Sequence, residues 1–295
     1  MISNKAQWIN RTIKKLNLKE NKNYMEYGKN KEFRVPAIVK RKYEVDEKIV
    51  LGSKVILLRK IDGSRERFVF YLHGGAYAAG LHILHLKLTD DLADRLDANI
   101  CIVDYPLAPE YHVQDAISVV KQAYEDLRKE ADVKEVVVVG DSAGGGLSLA
   151  LAMELRDEKK VLPEHMVLYS PWLDISLENQ EIPGYDDKDV VLNIEALQEI
   201  GKVYAGEVAL DDYRVSPGFG DLNHLGSIAV FYGTEEIFFP DCHRFARTAP
   251  LEGTEIRRYP YIGMQHDWLI SPIIERELAL LETQRFVFRG RYDSL

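Results

Sequence analysis

The chain has 295 residues, 46% of them hydrophobic and 29% charged, which suits one large globular domain with a sizeable core and a small cap. A formal net charge of -9 argues against the basic footprint that phosphate-backbone binding needs, so nucleic acid is not an expected partner. The charge is unevenly spread: residues 1–67 hold 18 Lys or Arg against 8 Asp or Glu, leaving 20 against 39 for the rest.

At the N-terminus, Ile2, Ala6, Ile9, Ile13 and Leu16 recur at helical spacing, with Lys5, Arg11, Lys14, Lys15 and Lys19 between them. This pattern predicts a basic amphipathic helix that packs its apolar stripe on the body, with contact to a membrane surface as the alternative. No apolar stretch approaches the roughly 20 residues needed to span a bilayer, and no secretion signal precedes the helix. A cytoplasmic protein is expected. Cys101 and Cys242 stand far apart and read as two buried thiols rather than a bridge.

From Lys42 to Ile61, two β-type runs flank Leu51-Gly52-Ser53 as an antiparallel hairpin. Beyond it, short apolar runs alternate with amphipathic ones. Phe68 to Leu72, Ile100 to Asp104, Val136 to Val139, Met166 to Tyr169, Ile228 to Tyr232 and Ile256 to Tyr259 read as strands. Leu84 to Leu96, Gln114 to Lys129, Gly144 to Arg156, Ile194 to Ala205, Asp241 to Ala249 and Pro272 to Phe288 read as helices. Near-continuous apolar strands separated by helices imply a mostly parallel sheet covered on both faces, an α/β fold whose ligands sit at the carboxyl ends of the strands. The stretch from Pro171 to Leu225 is turn-rich and reads as a cap insertion. The expected division is an N-terminal cap segment over residues 1–40, then a catalytic domain over 41–295 with the insertion around 171–225.

Gly140-Asp141-Ser142-Ala143-Gly144 lies directly between a strand and an amphipathic helix, the setting of a nucleophile elbow. The turn is tight enough that side chains two before and two after the serine would collide, and its strain lifts the Ser142 hydroxyl into the site. A phosphate-binding loop is the competing reading. It fails for want of a lysine at the Walker position and of G-x-G-x-x-G spacing. His73-Gly74-Gly75-Ala76-Tyr77 follows an earlier strand, and its small residues let amides approach a developing oxyanion; the hole is assigned to Gly74, Gly75 and Ala143.

On these motifs, together with Tyr105-Pro106-Leu107-Ala108-Pro109-Glu110 and Ser170-Pro171-Trp172-Leu173-Asp174, the chain resembles the hormone-sensitive-lipase family of esterases. The resemblance implies an α/β-hydrolase fold with an N-terminal cap, no cofactor or metal, and activity on small acyl esters. Ala76 stands where a third glycine is commonest in the family, and Tyr111-His112-Val113-Gln114 lacks the usual proline.

Triads in this fold run Ser, then Asp or Glu, then His. His266, in Gly263-Met264-Gln265-His266-Asp267-Trp268 after the last strand, occupies the place of the base and is expected to be exposed, whereas the other seven histidines precede or miss it. The acid should follow the strand ending at Tyr232. Where the family most often has aspartate, alignment gives Glu236, with Glu235 and Asp241 as alternatives. Asp267 is expected to face away from its neighbour. Tyr77 and Trp172 are candidate acyl-pocket residues, with Phe219 and Phe238 as further apolar candidates near strand ends. One neighbouring carboxylate would lift an ordinary histidine pKa of about 6.5, so the acidic limb of kcat/KM is expected near neutrality. The expected partner is a small-molecule ester; a homo-oligomer is compatible with the sequence. Amide, carbamate or lactone hydrolysis would use the same machinery, and a non-catalytic binding protein on the same fold is the rival from another class.

Overall fold

The computed structural model describes residues 2–17, 19, 33–248 and 251–289. Eight strands form one sheet: β1 (Tyr43–Val50), β2 (Ser53–Lys60), β3 (Arg67–Leu72), β4 (Asn99–Asp104), β5 (Glu135–Asp141), β6 (His165–Tyr169), β7 (Gly226–Gly233) and β8 (Thr254–Tyr261). Their spatial order is β1-β2-β4-β3-β5-β6-β7-β8. The β1–β2 hairpin and the β2–β4 pair are antiparallel, and every other pairing is parallel.

The parallel strands β3 to β7 are largely apolar on both faces because both faces are covered, whereas the edge strand β8 alternates half-buried and exposed residues. Phe68, Phe70, Val136 and Val138 pack on one side with α3 (Val113–Arg128), α4 (Ala143–Asp157), α6 (Ile194–Ala205) and α7 (Phe239–Phe245). Val69, Tyr71, Val137 and Val139 pack on the other with α2 (Ile83–Leu96), α8 (Ile274–Val287) and Ala6 of α1 (Asn4–Leu16). One further turn of helix, α5 (Pro183–Asp186), lies in the insertion. Helix α4 is buried almost all round from Ala143 to Leu155, so it shows no amphipathic stripe.

Helix α1 docks by the first half of its predicted stripe, with Ala6 buried and Ile2 and Ile9 against the core, while Leu16 at the other end is 60% exposed. Ser3 adds hydrogen bonds from its N–H (2.6 Å) and hydroxyl (2.8 Å) to the Glu275 carboxylate. Of the expected N-terminal cap segment over residues 1–40, residues 1, 18 and 20–32 lie outside the described residues. The helix expected over Asp241 to Ala249 runs Phe239–Phe245 instead, and Ala249 lies outside the described residues. Both cysteines are buried and free. Among the described residues no helix is long and apolar enough to cross a membrane.

Candidate active site

The carboxyl ends of β3, β5 and β7 and the loop after β8 converge on one place. Ser142 ends the turn from β5 into α4 with φ 52° and ψ -121°, a backbone state that few non-glycine residues adopt. The neighbouring glycines make room for it. A Cβ on Gly140 would drive into the Gly144 carbonyl, and one on Gly144 into the carbonyl oxygens of Leu72 and His73. The turn is braced from the β6 side, where Ser142 N–H donates to Tyr169 O (2.8 Å) and Trp172 N–H donates to Ser142 O (2.9 Å).

The Ser142 hydroxyl lies 2.8 Å from His266 Nε2, and His266 Nδ1 lies 2.6 Å from Glu236 Oε2. Glu236 is wholly buried, and its other oxygen accepts from the Ser170 hydroxyl (2.8 Å) and from Gly233 N–H (2.7 Å). These two bonds fix the carboxylate, and with it the Nδ1–H tautomer that leaves Nε2 free to accept from serine. The alternatives point elsewhere: Glu235 accepts from Gln265 Nε2 (3.1 Å), and Asp241 from Asn179 Nδ2 (2.7 Å) and Arg244 (3.1 Å).

Four expectations need correction. His266 is not exposed but 3% accessible, enclosed by the very loops that orient it. Asp267 does not face away: its backbone is left-handed (φ 58°), which swings Oδ1 to 3.4 Å from His266 Nε2. Gly74 cannot serve as an oxyanion donor, because its N–H already donates to Asp141 Oδ2 at 3.1 Å. Among the described residues, the amides of Gly75, Ala76 and Ala143 have no such acceptor, and Gly75, Ala76 and Tyr77 form a run of positive φ (122°, 54° and 58°) that redirects the loop's amides. Phe219, finally, is half exposed, with its backbone in a turn of 3-10 helix on the insertion.

The protonation energetics also differ from the sequence reading. Burial disfavours the imidazolium of His266, but the carboxylates of Asp267, Glu236 and Asp189 outweigh it and push its pKa up to about 9. Asp141 is pushed up to about 7 by burial and by Asp267, against hydrogen bonds from Tyr71 and Gly74. His73, in contrast, is lowered to about 4 by burial and stacks on Tyr105.

Sequence reasoning missed three supporting residues. Ser170 was seen only as part of a motif. Asp189, on the insertion, accepts from Val191 and Leu192 N–H (2.8 Å each) and from Ile237 N–H (2.9 Å), directly after Glu236. Gln265 accepts from Val190 N–H (3.0 Å) and donates to Lys188 O (2.9 Å), tying the histidine loop to the same segment. An Asp before a Val-Val-Leu run signals a local turn, but nothing in the sequence places it beside the acid loop.

Tyr77 and Trp172 are buried and stacked, with ring centres 5.6 Å apart; Tyr204 of α6 lies on Tyr77 at 3.8 Å and Phe238 on Trp172 at 5.7 Å. Phe238 then meets the His266 ring edge-on at 5.0 Å, so an aromatic wall leads to His266. Among the described residues no cluster of His, Cys, Asp and Glu could hold a metal ion.

A profile of the alpha/beta hydrolase fold matches residues 69–270. An esterase of Acinetobacter venetianus is 34% identical over 211 residues, covering 71% of this chain and 70% of its own length. An acetyl-hydrolase of Streptomyces hygroscopicus is 30% identical over 203 residues, 68% of either chain. The crystal structure of an esterase from the bacterial hormone-sensitive lipase family superposes with a TM-score of 0.83 over 97% of this chain and 98% of its own, at 23% identity. The chain belongs to the α/β-hydrolase fold family and to its esterases.

Proposed function

We propose that this carboxylester hydrolase works through an acyl-enzyme on Ser142, with His266 as general base and Glu236 as the acid that orients it. The observation that carries the reading is the continuous hydrogen-bonded line from Ser142 Oγ through His266 to Glu236, at 2.8 and 2.6 Å. His266 takes the serine proton as Oγ attacks the ester carbonyl, then gives it to the departing alcohol; water reverses the sequence to release the acid. Negative charge on the carbonyl oxygen would be met by the amides of Gly75, Ala76 and Ala143. Glu236 stabilises the imidazolium without taking its proton.

Short acyl groups fit best. Tyr77, Trp172, Phe238 and Tyr204 form a buried aromatic stack that reaches His266, and the Streptomyces relative is named for acetyl hydrolysis. Residues 1–40 and the insertion around 171–225 are read as the cap, supported by the bonds that Asp189 and Gln265 make between the insertion and the catalytic loops.

The test is a series of p-nitrophenyl esters from acetyl to palmitoyl, run on the wild type and on Ser142→Ala. Acetyl to butyryl should outrun chains beyond about eight carbons, and the variant should lose on the order of a million-fold in kcat. Retention of more than a few per cent of turnover by the variant would refute the nucleophile, and faster hydrolysis of palmitoyl than butyryl esters would refute the chain-length reading.

A further inference from the structure

His266 Nε2 has two neighbours in the free enzyme. One is the Ser142 hydroxyl at 2.8 Å; the other is Asp267 Oδ1 at 3.4 Å. Glu236 occupies the opposite side of the ring at Nδ1, so Asp267 is a second carboxylate, placed on the reacting side. Its side chain is 36% exposed, whereas that of His266 is 1% exposed, which makes Asp267 the solvent-facing partner of the pair. A left-handed backbone at φ 58° holds it there, and aspartate is among the few residues that tolerate this conformation.

In acyl transfer Nε2 is the atom that returns its proton to the leaving alcohol. The alcohol oxygen must therefore come within hydrogen-bonding reach of Nε2, and the carbon chain attached to it passes beside Asp267. We propose that Asp267 determines specificity for the alcohol portion of the ester, favouring alcohols that carry positive charge near the ester oxygen and disfavouring anionic ones. This rests on the reading of His266 as the base.

The charges around the site support the sign. His266 faces Glu236 from the loop after β7, Asp189 from the insertion and Asp267 from its own loop, and Asp267 in turn influences Asp141 at the end of β5 and His82 before α2. When the imidazolium forms, Glu236 at Nδ1 offsets its charge, and the Asp267 carboxylate remains on the Nε2 side that the alcohol approaches. At 4 to 6 Å in a partly solvated site, one such charge alters relative rates by about tenfold.

Three acetates of matched acyl group separate the effect from the shared chemistry: acetylcholine (cationic), 3,3-dimethylbutyl acetate (its neutral counterpart) and acetoxyacetate (anionic). The quantity read is the ratio of kcat/KM between them, in wild type and in Asp267→Asn, which keeps the left-handed backbone tolerance. The wild type should prefer the cationic over the neutral ester by about tenfold at low salt and reject the anionic one; Asp267→Asn should bring the cationic-to-neutral ratio to within about twofold of unity. A second measurement needs no variant: added sodium chloride should erode the wild-type ratio. Equal ratios in both proteins, a wild-type ratio at or below unity, or a ratio indifferent to salt would overturn the proposal while leaving the esterase reading intact. Failure of the wild type on these acetates and on p-nitrophenyl acetate alike would instead sink the esterase reading beneath it.

Discussion

Two tight turns leave strand ends in this molecule, and their glycines are there for opposite reasons. In the β1–β2 hairpin, Leu51 and Gly52 both have positive φ (48° and 88°), and a Cβ on Gly52 would meet nothing within 4 Å. That glycine supplies a conformation. At the elbow after β5 the positive φ falls on Ser142, while Gly140 and Gly144 supply space, since a Cβ on either would strike backbone carbonyls. The turn that only reverses the chain shares its left-handed backbone between an exposed leucine and a glycine in open space. The elbow puts it on Ser142 and uses glycine to let the surroundings clamp that residue.

If the elbow matters through what it is clamped to, the largest effect after removal of the Ser142 hydroxyl itself should come from a group in another loop. Glu236→Gln should lower kcat roughly 10⁴-fold, as a lost orienting carboxylate does in comparable triads, while Glu235→Gln, whose partner is Gln265, should stay near wild type. Steady-state kinetics of the two variants decide this, and the reverse order would move the acid to Glu235. Gly144→Ala should come next. Its methyl group has no room against Leu72 O and His73 O, so a loss of about 3 kcal/mol or more is expected, read as a fall in Tm together with reduced kcat. A variant with wild-type Tm and kcat would show that the elbow has slack. The smallest effect belongs to Gly52→Ala. With open space around it the cost is conformational alone, about 1 kcal/mol, and kcat should not change; a large loss of activity there would erase the contrast between the two turns.

The same contrast explains what could be read from the sequence. The hairpin and the strand-turn-helix around Ser142 are local patterns, and each appears where periodicity and turn chemistry put it; Ser142, His266 and Glu236, read from chain order and resemblance, lie each within hydrogen-bonding distance of the next. The groups that reach across the site left no such mark. Asp189 lies 48 positions from Ile237, whose N–H it accepts, and Ser170 lies 66 from Glu236, so only the folded chain brings them together. Asp267 was misjudged because the alternation of neighbouring side chains fails where the backbone turns left-handed. The titration of His266 shifted with it: one carboxylate was counted from the sequence, whereas three act on the ring and take its pKa to about 9.

Asp141 precedes the nucleophile by one peptide bond, and its carboxylate is held between the Tyr71 hydroxyl and the Gly74 amide. The Ser142 hydroxyl and the strand-end loop of Gly75 and Ala76 are thereby referenced to a single buried anchor. A movement that displaces one must carry the other with it, as two tools bolted to one plate keep their spacing when the plate tilts. The spacing between that hydroxyl and the amides of the loop is thus set at the ends of β3 and β5, within the sheet.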